Sequence, residues 1–167
     1  VNFLRAFEYC QTPWVMIVGD DDLFLPNALS DILGILGAVD ESIVAVKFDS
    51  TLFGSQPNCL SNGLNEYVNL IPKYLYPNAL NNLCLISNWV FRCESSRKYL
   101  SAAYFGYSSK MSHLFPALKA CSLTKGQIVF SNLQPIAHGT SEDTWPKAPT
   151  WFEMTMTISN FSGFINQ

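Results

Sequence analysis

Three consecutive aspartates, Asp20, Asp21 and Asp22, follow the apolar run WVMIV and a glycine. Adjacent carboxylates repel one another and resist burial, so a group of opposite charge must compensate them. A divalent cation does this with more than one charge, and carboxylate oxygens are its common protein ligands. If the apolar run continues as a strand, Asp20 and Asp22 project to one side and Asp21 to the other. The pattern therefore predicts an Asp-x-Asp clamp in which Asp20 and Asp22 bind a metal ion.

The acidic triplet also has a plainer interpretation. Carboxylates just before a helix interact favourably with the positive end of its dipole, so the three aspartates would then form a solvated turn. An EF-hand calcium loop fits poorly, because the sixth position counted from Asp20 is Leu25 instead of glycine and the twelfth is Asp31 instead of glutamate. The apolar segments on both sides of the triplet favour the metal clamp.

Apolar segments around the aspartates predict the elements that hold them in place. Residues 14–18 are uniformly apolar and suit a central strand buried on both faces. A short helix over residues 2–10 precedes this strand, and a helix over residues 26–36 with an apolar stripe follows it. A second strand is predicted over residues 42–48. Because ligands of open α/β sheets bind at the carboxyl ends of strands, the aspartates lie where a site is expected.

The rest of the chain continues the alternation of helices and strands. Residues 50–64 are rich in Ser, Asn, Gly and Pro and predict a long loop. We expect an α/β fold with a mixed central sheet flanked by helices, formed by residues 1–167 as a single domain. Its further elements are predicted as strands over 83–91 and 126–136 and as helices over 66–76, 94–103, 109–120 and 151–165.

Composition restricts the partners and the compartment. The chain has 167 residues, of which 49% are hydrophobic and 14% charged, enough for one packed core. Its net charge of -3 and the lack of a basic run argue against direct binding to nucleic acid. No apolar run approaches the roughly 18 residues that cross a bilayer, so we expect no transmembrane segment. The five cysteines are odd in number and form no C-x-x-C motif, which predicts reduced thiols in a cytoplasmic protein.

The stretch LRAFEYCQTPWVMIVGDDDLFLPNALSDIL resembles the centre of family 2 glycosyltransferases of the GT-A fold. It has their order of helix, strand, Asp-rich motif and apolar-apolar-Pro step into the next helix. The later stretch LISNWVFRCE resembles the acceptor-side strand and following helix of bacterial members. The resemblance implies a partial GT-A fold in which Asp22 binds the metal, Asp20 lies near the ribose or the sugar, and Asp21 neighbours the same site.

The same resemblance implies the reaction and its partners. The donor is a nucleotide-diphosphate sugar whose diphosphate is held by Mn²⁺ or Mg²⁺. The acceptor is a hydroxyl of a carbohydrate or of a lipid-linked compound in polysaccharide or glycolipid synthesis. His138, in the stretch PIAHGTSED, is a candidate contact to the diphosphate or the metal, or else a loop histidine with a structural hydrogen bond.

The first difference from that family lies ahead of the aspartates. Its members usually carry nucleotide-binding strands and helices there, whereas here the motif begins at residue 20. The chain is thus expected to correspond to the central and acceptor-side part of a catalytic domain. Such a part would bind nucleotide diphosphates weakly, lack transferase activity, and self-associate through an exposed sheet edge or face.

The second difference concerns the catalytic base. Inverting members usually present a carboxylate at the start of a helix in the acceptor half, where this sequence has YSSKMSHLFP with His113. A neutral imidazole can take a proton from an acceptor hydroxyl, so His113 is the candidate base, with a packing histidine as the alternative. Asp49, at the end of the second predicted strand, and Glu142 are the other carboxylate candidates.

Two further functions stay open from the sequence alone. One is a non-catalytic relative, or a binding domain, that keeps the fold without its chemistry. The other is a metal-dependent phosphoryl-transfer or hydrolytic enzyme that uses the same acidic strand end. The lack of a Gly-rich phosphate loop with its Lys-Ser/Thr pair speaks against the second.

Overall fold

Helices and strands alternate along the chain in the computed structural model, which describes residues 2–50, 58–61, 66, 69, 83, 85–106 and 112–139. The helix predicted over 151–165 lies outside these residues, as does most of the one predicted over 66–76. In chain order the elements are α1 Asn2–Tyr9, β1 Trp14–Met16, β2 Leu23–Phe24, α2 Ala28–Ala38, β3 Ile43–Phe48, β4 Cys59–Ser61, a 3₁₀ turn Ile86–Asn88, β5 Trp89–Arg92, α3 Cys93–Lys98, a 3₁₀ helix Leu100–Gly106, α4 Phe115–Thr124, β6 Gln127–Ser131 and β7 Ile136–Ala137.

Five strands form one mixed sheet in the order β1-β5-β3-β6-β4. Strand β3 runs parallel to β6 and antiparallel to β5, while β1 and β4 extend the sheet by antiparallel pairing with β5 and β6. All six residues of β3 are buried, because apolar clusters cover both faces of this strand. Strands β2 and β7 pair separately as a two-stranded sheet. The predicted α/β class, with a mixed sheet flanked by helices, is confirmed.

The sheet separates two apolar clusters, because neighbouring residues of a strand point to opposite faces. On one face, Phe91 of β5 packs in a cluster with Phe7 of α1 and Leu118 of α4. On the other face, Val90 of β5 clusters with Ile32 of α2. No helix within the described ranges is long and apolar enough to span a membrane.

Strand β1 differs from its prediction in both position and length. It ends at Met16 and forms an edge of the sheet, with β5 as its partner in the described part of the chain. All three of its residues are half-buried, so the prediction of a central strand buried on both faces is wrong. An apolar run shows that a strand is packed against something, but does not show on how many edges it pairs.

Other expectations about the elements need correction. The strand predicted over 83–91 begins only at Trp89, after a 3₁₀ turn, and the strand predicted over 126–136 ends at Ser131, because Ile136–Ala137 belongs to the two-stranded sheet. Residues 59–61, predicted as loop, form β4 and pair with β6.

On α2 the predicted apolar stripe is only partly buried: Ile32 is in the core, whereas the side chains of Leu29 and Leu33 are 58% and 66% exposed. A helix packed on one face of a sheet buries one stripe, and α2 carries more leucines than that stripe accommodates.

Cys10 and Cys93 form a disulfide, so the prediction that all five cysteines are reduced is wrong. The pairing of β1 with β5 places the end of α1 beside the start of α3, and the Cys93 N–H donates to the Pro13 carbonyl at 2.9 Å. The two Cα atoms are 6.5 Å apart although 83 positions separate the residues in sequence. Because disulfides are rare in the cytosol, the predicted cytoplasmic location loses the support of the cysteine pattern.

Candidate functional site at the aspartate turn

Residues 19–22 form a turn and do not continue β1. The Asp22 N–H donates to the Gly19 carbonyl at 3.2 Å, which closes the turn three residues beyond the end of the strand. Side chains on a turn do not alternate as they do on a strand. The strand geometry that predicted Asp20 and Asp22 on one side, with Asp21 on the other, is therefore not present here.

Asp22 is held by the segment that follows β7. Its Oδ1 accepts a hydrogen bond from His138 Nδ1 at 3.0 Å and another from the Gly139 N–H at 3.3 Å. The pairing of β2 with β7 explains this contact, because Leu23 lies opposite Ala137 and so places their chain neighbours Asp22 and His138 side by side. The side chains of Asp22 and His138 are only 11% and 4% exposed.

The second ring nitrogen of His138 has no partner among the described residues. His138 Nε2 is buried and makes no hydrogen bond there. When Nδ1 carries the proton donated to Asp22, Nε2 is left with a lone pair. An unsatisfied buried polar atom costs about 1–3 kcal/mol, so a group outside the described residues is expected to pair with Nε2.

Two glycines allow the aspartate turn and the segment after β7 to approach closely. A Cβ added to Gly139 would lie 2.6 Å from the backbone oxygen of Asp21 and 3.0 Å from its Oδ2. A Cβ added to Gly19 would lie 3.0 Å from both Asp21 Oδ1 and Asp22 Oδ2. The carboxylates of Asp21 and Asp22 therefore lie on the same side of the turn, near Gly19, while Asp20 is exposed to solvent.

We predict that Gly139→Ala destabilises the protein by about 1–3 kcal/mol, the usual cost of overpacking a close contact. The added methyl cannot fit against Asp21 without moving the backbone that holds Asp22. Gly34→Ala is the matched control: no atom lies within 4 Å of its added Cβ, and alanine should stabilise α2 by up to about 1 kcal/mol. Urea unfolding of both variants measures these changes, and equal stability of Gly139→Ala and wild type would contradict the close contact.

His113 lies in the core and not at the aspartate turn. Its ring is 2% exposed, its Nε2 is 3.3 Å from the Leu83 carbonyl oxygen, and its edge packs against Phe91 with ring centres 6.2 Å apart. Burial, with a smaller contribution from the nearby charge of Lys47, lowers the pKa of His113 to about 4, while the hydrogen bond to the Leu83 carbonyl opposes that shift. These surroundings are those of a packing residue, and the base role predicted for His113 stays untested.

The buried His113 makes stability depend on pH. Its pKa is about 4 in the folded protein against 6.5 as an ordinary value, so the unfolded chain binds the extra proton first as the pH falls from 6.5 to 4. We predict a loss of about 3 kcal/mol over that interval from this group. His113→Phe should remove this part of the pH dependence. Urea unfolding at pH 6.5 and pH 4.5 gives the change in the free energy of unfolding between these pH values. An equal change in the wild type and in His113→Phe would contradict the buried neutral imidazole.

Asp49, the alternative base, is also fully buried. Its carboxylate accepts hydrogen bonds from the Ser50 N–H at 2.8 Å and from Gln134 Nε2 at 3.3 Å. Lys47, two residues earlier, is a buried cation that sequence reasoning did not single out, although it interrupts the apolar run IVAVKF. Burial lowers the pKa of Lys47 to about 7, while the charge of Asp49 opposes that shift. Glu142, the remaining candidate, lies outside the described residues.

The structure thus brings together Asp21, Asp22 and His138, and leaves His113 and Asp49 in the interior. It adds Gly139, whose N–H contributes to holding Asp22 and whose only sequence signal is its place directly after the histidine. Within the described ranges, no three His, Cys, Asp or Glu side chains form a group that could hold a metal ion. No protein-family model, curated protein or solved structure matches the chain.

Proposed function

We propose that this chain is part of a metal-dependent glycosyltransferase that moves a sugar from a nucleotide-diphosphate donor to a hydroxyl acceptor. The stretch GDDD and its resemblance to GT-A enzymes suggest the reaction, with a partial GT-A fold as the scaffold. The observation that supports the proposal most is the buried pair of Asp22 and His138, in which Nε2 has no partner in the described part of the chain. Such a pair beside two more aspartates is suited to a charged ligand.

The donor atoms at the turn fit Mn²⁺ or Mg²⁺. Carboxylate oxygens suit both ions. Mg²⁺ is commonly bound by one or two carboxylates, with water and substrate phosphates as its other ligands, so a three-residue protein cluster is not required. Asp22 Oδ1 is engaged by His138 and Gly139, which leaves Oδ2 available to a cation. Asp20 stays the second proposed ligand on the sequence pattern, although Asp21 is the aspartate whose carboxylate lies near that of Asp22.

Each group at the site has a role in the proposed reaction. The bound ion would offset negative charge on the leaving diphosphate. His138 orients the Asp22 carboxylate by its hydrogen bond. The acceptor is proposed to be a carbohydrate or lipid-linked hydroxyl. A cytoplasmic location remains part of the proposal, with the Cys10–Cys93 disulfide as the observation that opposes it.

Calorimetry with Mn²⁺ and a panel of nucleotide diphosphates, run beside light scattering, tests the proposal. We expect weak binding that disappears when EDTA removes the ion. We also expect self-association, through the edge strand β1 or through the exposed leucines Leu29 and Leu33 of α2. A lack of Mn²⁺-dependent binding for every nucleotide would contradict the proposed function. Tight binding by a monomer would instead show that these residues form a complete nucleotide site.

A non-catalytic relative that keeps the binding site is the second candidate function. The burial of both His113 and Asp49, the two described candidates for the base, favours it. Release of nucleotide diphosphate after addition of an acceptor and a nucleotide sugar would exclude the non-catalytic relative and would also contradict the expectation that this chain is inactive by itself.

A further inference from the structure

A buried serine from a neighbouring element contacts the other end of the aspartate turn. The Gly19 N–H donates to Ser87 Oγ at 2.9 Å, and Ser87 is 2% exposed. Ser87 lies in the 3₁₀ turn Ile86–Asn88, which leads directly into β5. This serine therefore lies two residues before a strand that pairs on both edges, with β1 and with β3.

Hydrogen bonds connect Ser87 to His138 through the turn. Ser87 accepts from the Gly19 N–H, the Gly19 carbonyl accepts from the Asp22 N–H at 3.2 Å, and Asp22 Oδ1 accepts from His138 Nδ1 at 3.0 Å. The two ends of this series lie on different elements, so the turn is fixed from two sides. Three adjacent carboxylates repel one another, and a turn that carries them needs such restraint to keep one geometry.

We propose that Ser87 is a positioning residue for the cation site at the aspartate turn, an inference that rests on the proposed function. Its hydroxyl fixes the Gly19 backbone and thereby the direction of the Asp22 carboxylate. Burying a hydroxyl is unfavourable unless it forms a hydrogen bond, so packing alone would favour alanine at this place in the apolar stretch LISNWVF. Groups that orient a metal ligand through hydrogen bonds commonly affect metal affinity almost as much as the ligand itself.

Titration of the full chain with Mn²⁺ alone, followed by electron paramagnetic resonance of the free ion, tests the inference. Ser87→Ala should weaken Mn²⁺ binding about 10-fold, the lower end of the effect of losing such an outer partner. Ser87→Cys, which fills the same space with a weak acceptor, should also weaken it. Ser87→Thr, which keeps the hydroxyl, should restore most of the affinity. Ser96→Ala is the matched control, because Ser96 is equally buried but its hydroxyl has no partner in the described part of the chain.

Amide hydrogen exchange without metal gives a second readout. Ser87→Ala should speed exchange at Gly19 and Asp22, and Ser96→Ala should leave both unchanged. Wild-type Mn²⁺ affinity in Ser87→Ala would overturn the inference and leave the proposed function intact. Failure of the wild-type chain to bind Mn²⁺ would overturn the proposed function, and the role of Ser87 at a cation site with it.

Discussion

If the proposed function is right, we expect Asp22→Asn to abolish the Mn²⁺-dependent binding of nucleotide diphosphates. The substitution removes a negative charge and replaces one carboxylate oxygen with an amide that donates instead of accepting. The remaining oxygen cannot serve both a cation and the two donors, His138 Nδ1 and the Gly139 N–H, that Asp22 now satisfies. We expect the Mn²⁺-dependent affinity to fall by at least about 100-fold, because loss of a group that only orients a metal ligand already lowers metal affinity by about 10–100-fold.

The control for this change is Asp31→Asn. Asp31 is an exposed carboxylate in the first turn of α2, so the same chemical change there should leave binding unchanged. Calorimetry of both variants with Mn²⁺ and the best nucleotide of the panel measures the difference. An equal loss of binding in both variants would show that net charge alone attracts the ion. Unchanged binding in Asp22→Asn would show that Asp22 is not a ligand.

We expect the free energy of unfolding of the wild-type chain to rise between pH 7 and pH 9 because of Lys47. Burial lowers the pKa of this amine from 10.5 to about 7 in the folded protein. Between these values the unfolded chain binds the proton and the folded chain does not, so stability rises with pH. Below pH 7 both states are charged and the folded state carries the full penalty of burying the charge. The expected gain between pH 7 and pH 9 is about 3 kcal/mol, at about 1.4 kcal/mol per pH unit.

Lys47→Met should remove this rise, and Lys98→Met is its control. Both substitutions replace an amine with an apolar chain, but Lys98 is exposed on α3. The free energy of unfolding in urea, measured from pH 6 to pH 9, gives the slope of each protein. The interval ends at pH 9 because burial raises the pKa of Cys121 from 9.0 to about 12, which reduces stability at higher pH. A slope in Lys47→Met equal to that of the wild type would contradict a neutral buried amine.

Local sequence patterns located most of the described elements. The apolar run IVAVKF corresponds to β3, and the apolar segments on either side of GDDD correspond to β1 and α2. Periodicity predicts single elements because a strand or a helix places its own residues in a fixed geometry. Residue type and local context also singled out Asp22 and His138 as candidate site residues, although they did not predict the contact between them.

Only the tertiary structure decided which distant residues meet and which side chains are accessible. Asp22 and His138 are 116 positions apart and touch because β2 pairs with β7; Cys10 and Cys93 are joined because β1 pairs with β5. His113 has the chemistry of a base, but it is enclosed by the cluster that contains Phe91. Residue type and spacing indicate whether a segment prefers burial. Which segments pair with one another depends on the packing of all segments together. The sequence therefore determines which chemical groups the aspartate turn carries, whereas the arrangement of these groups in space depends on that packing.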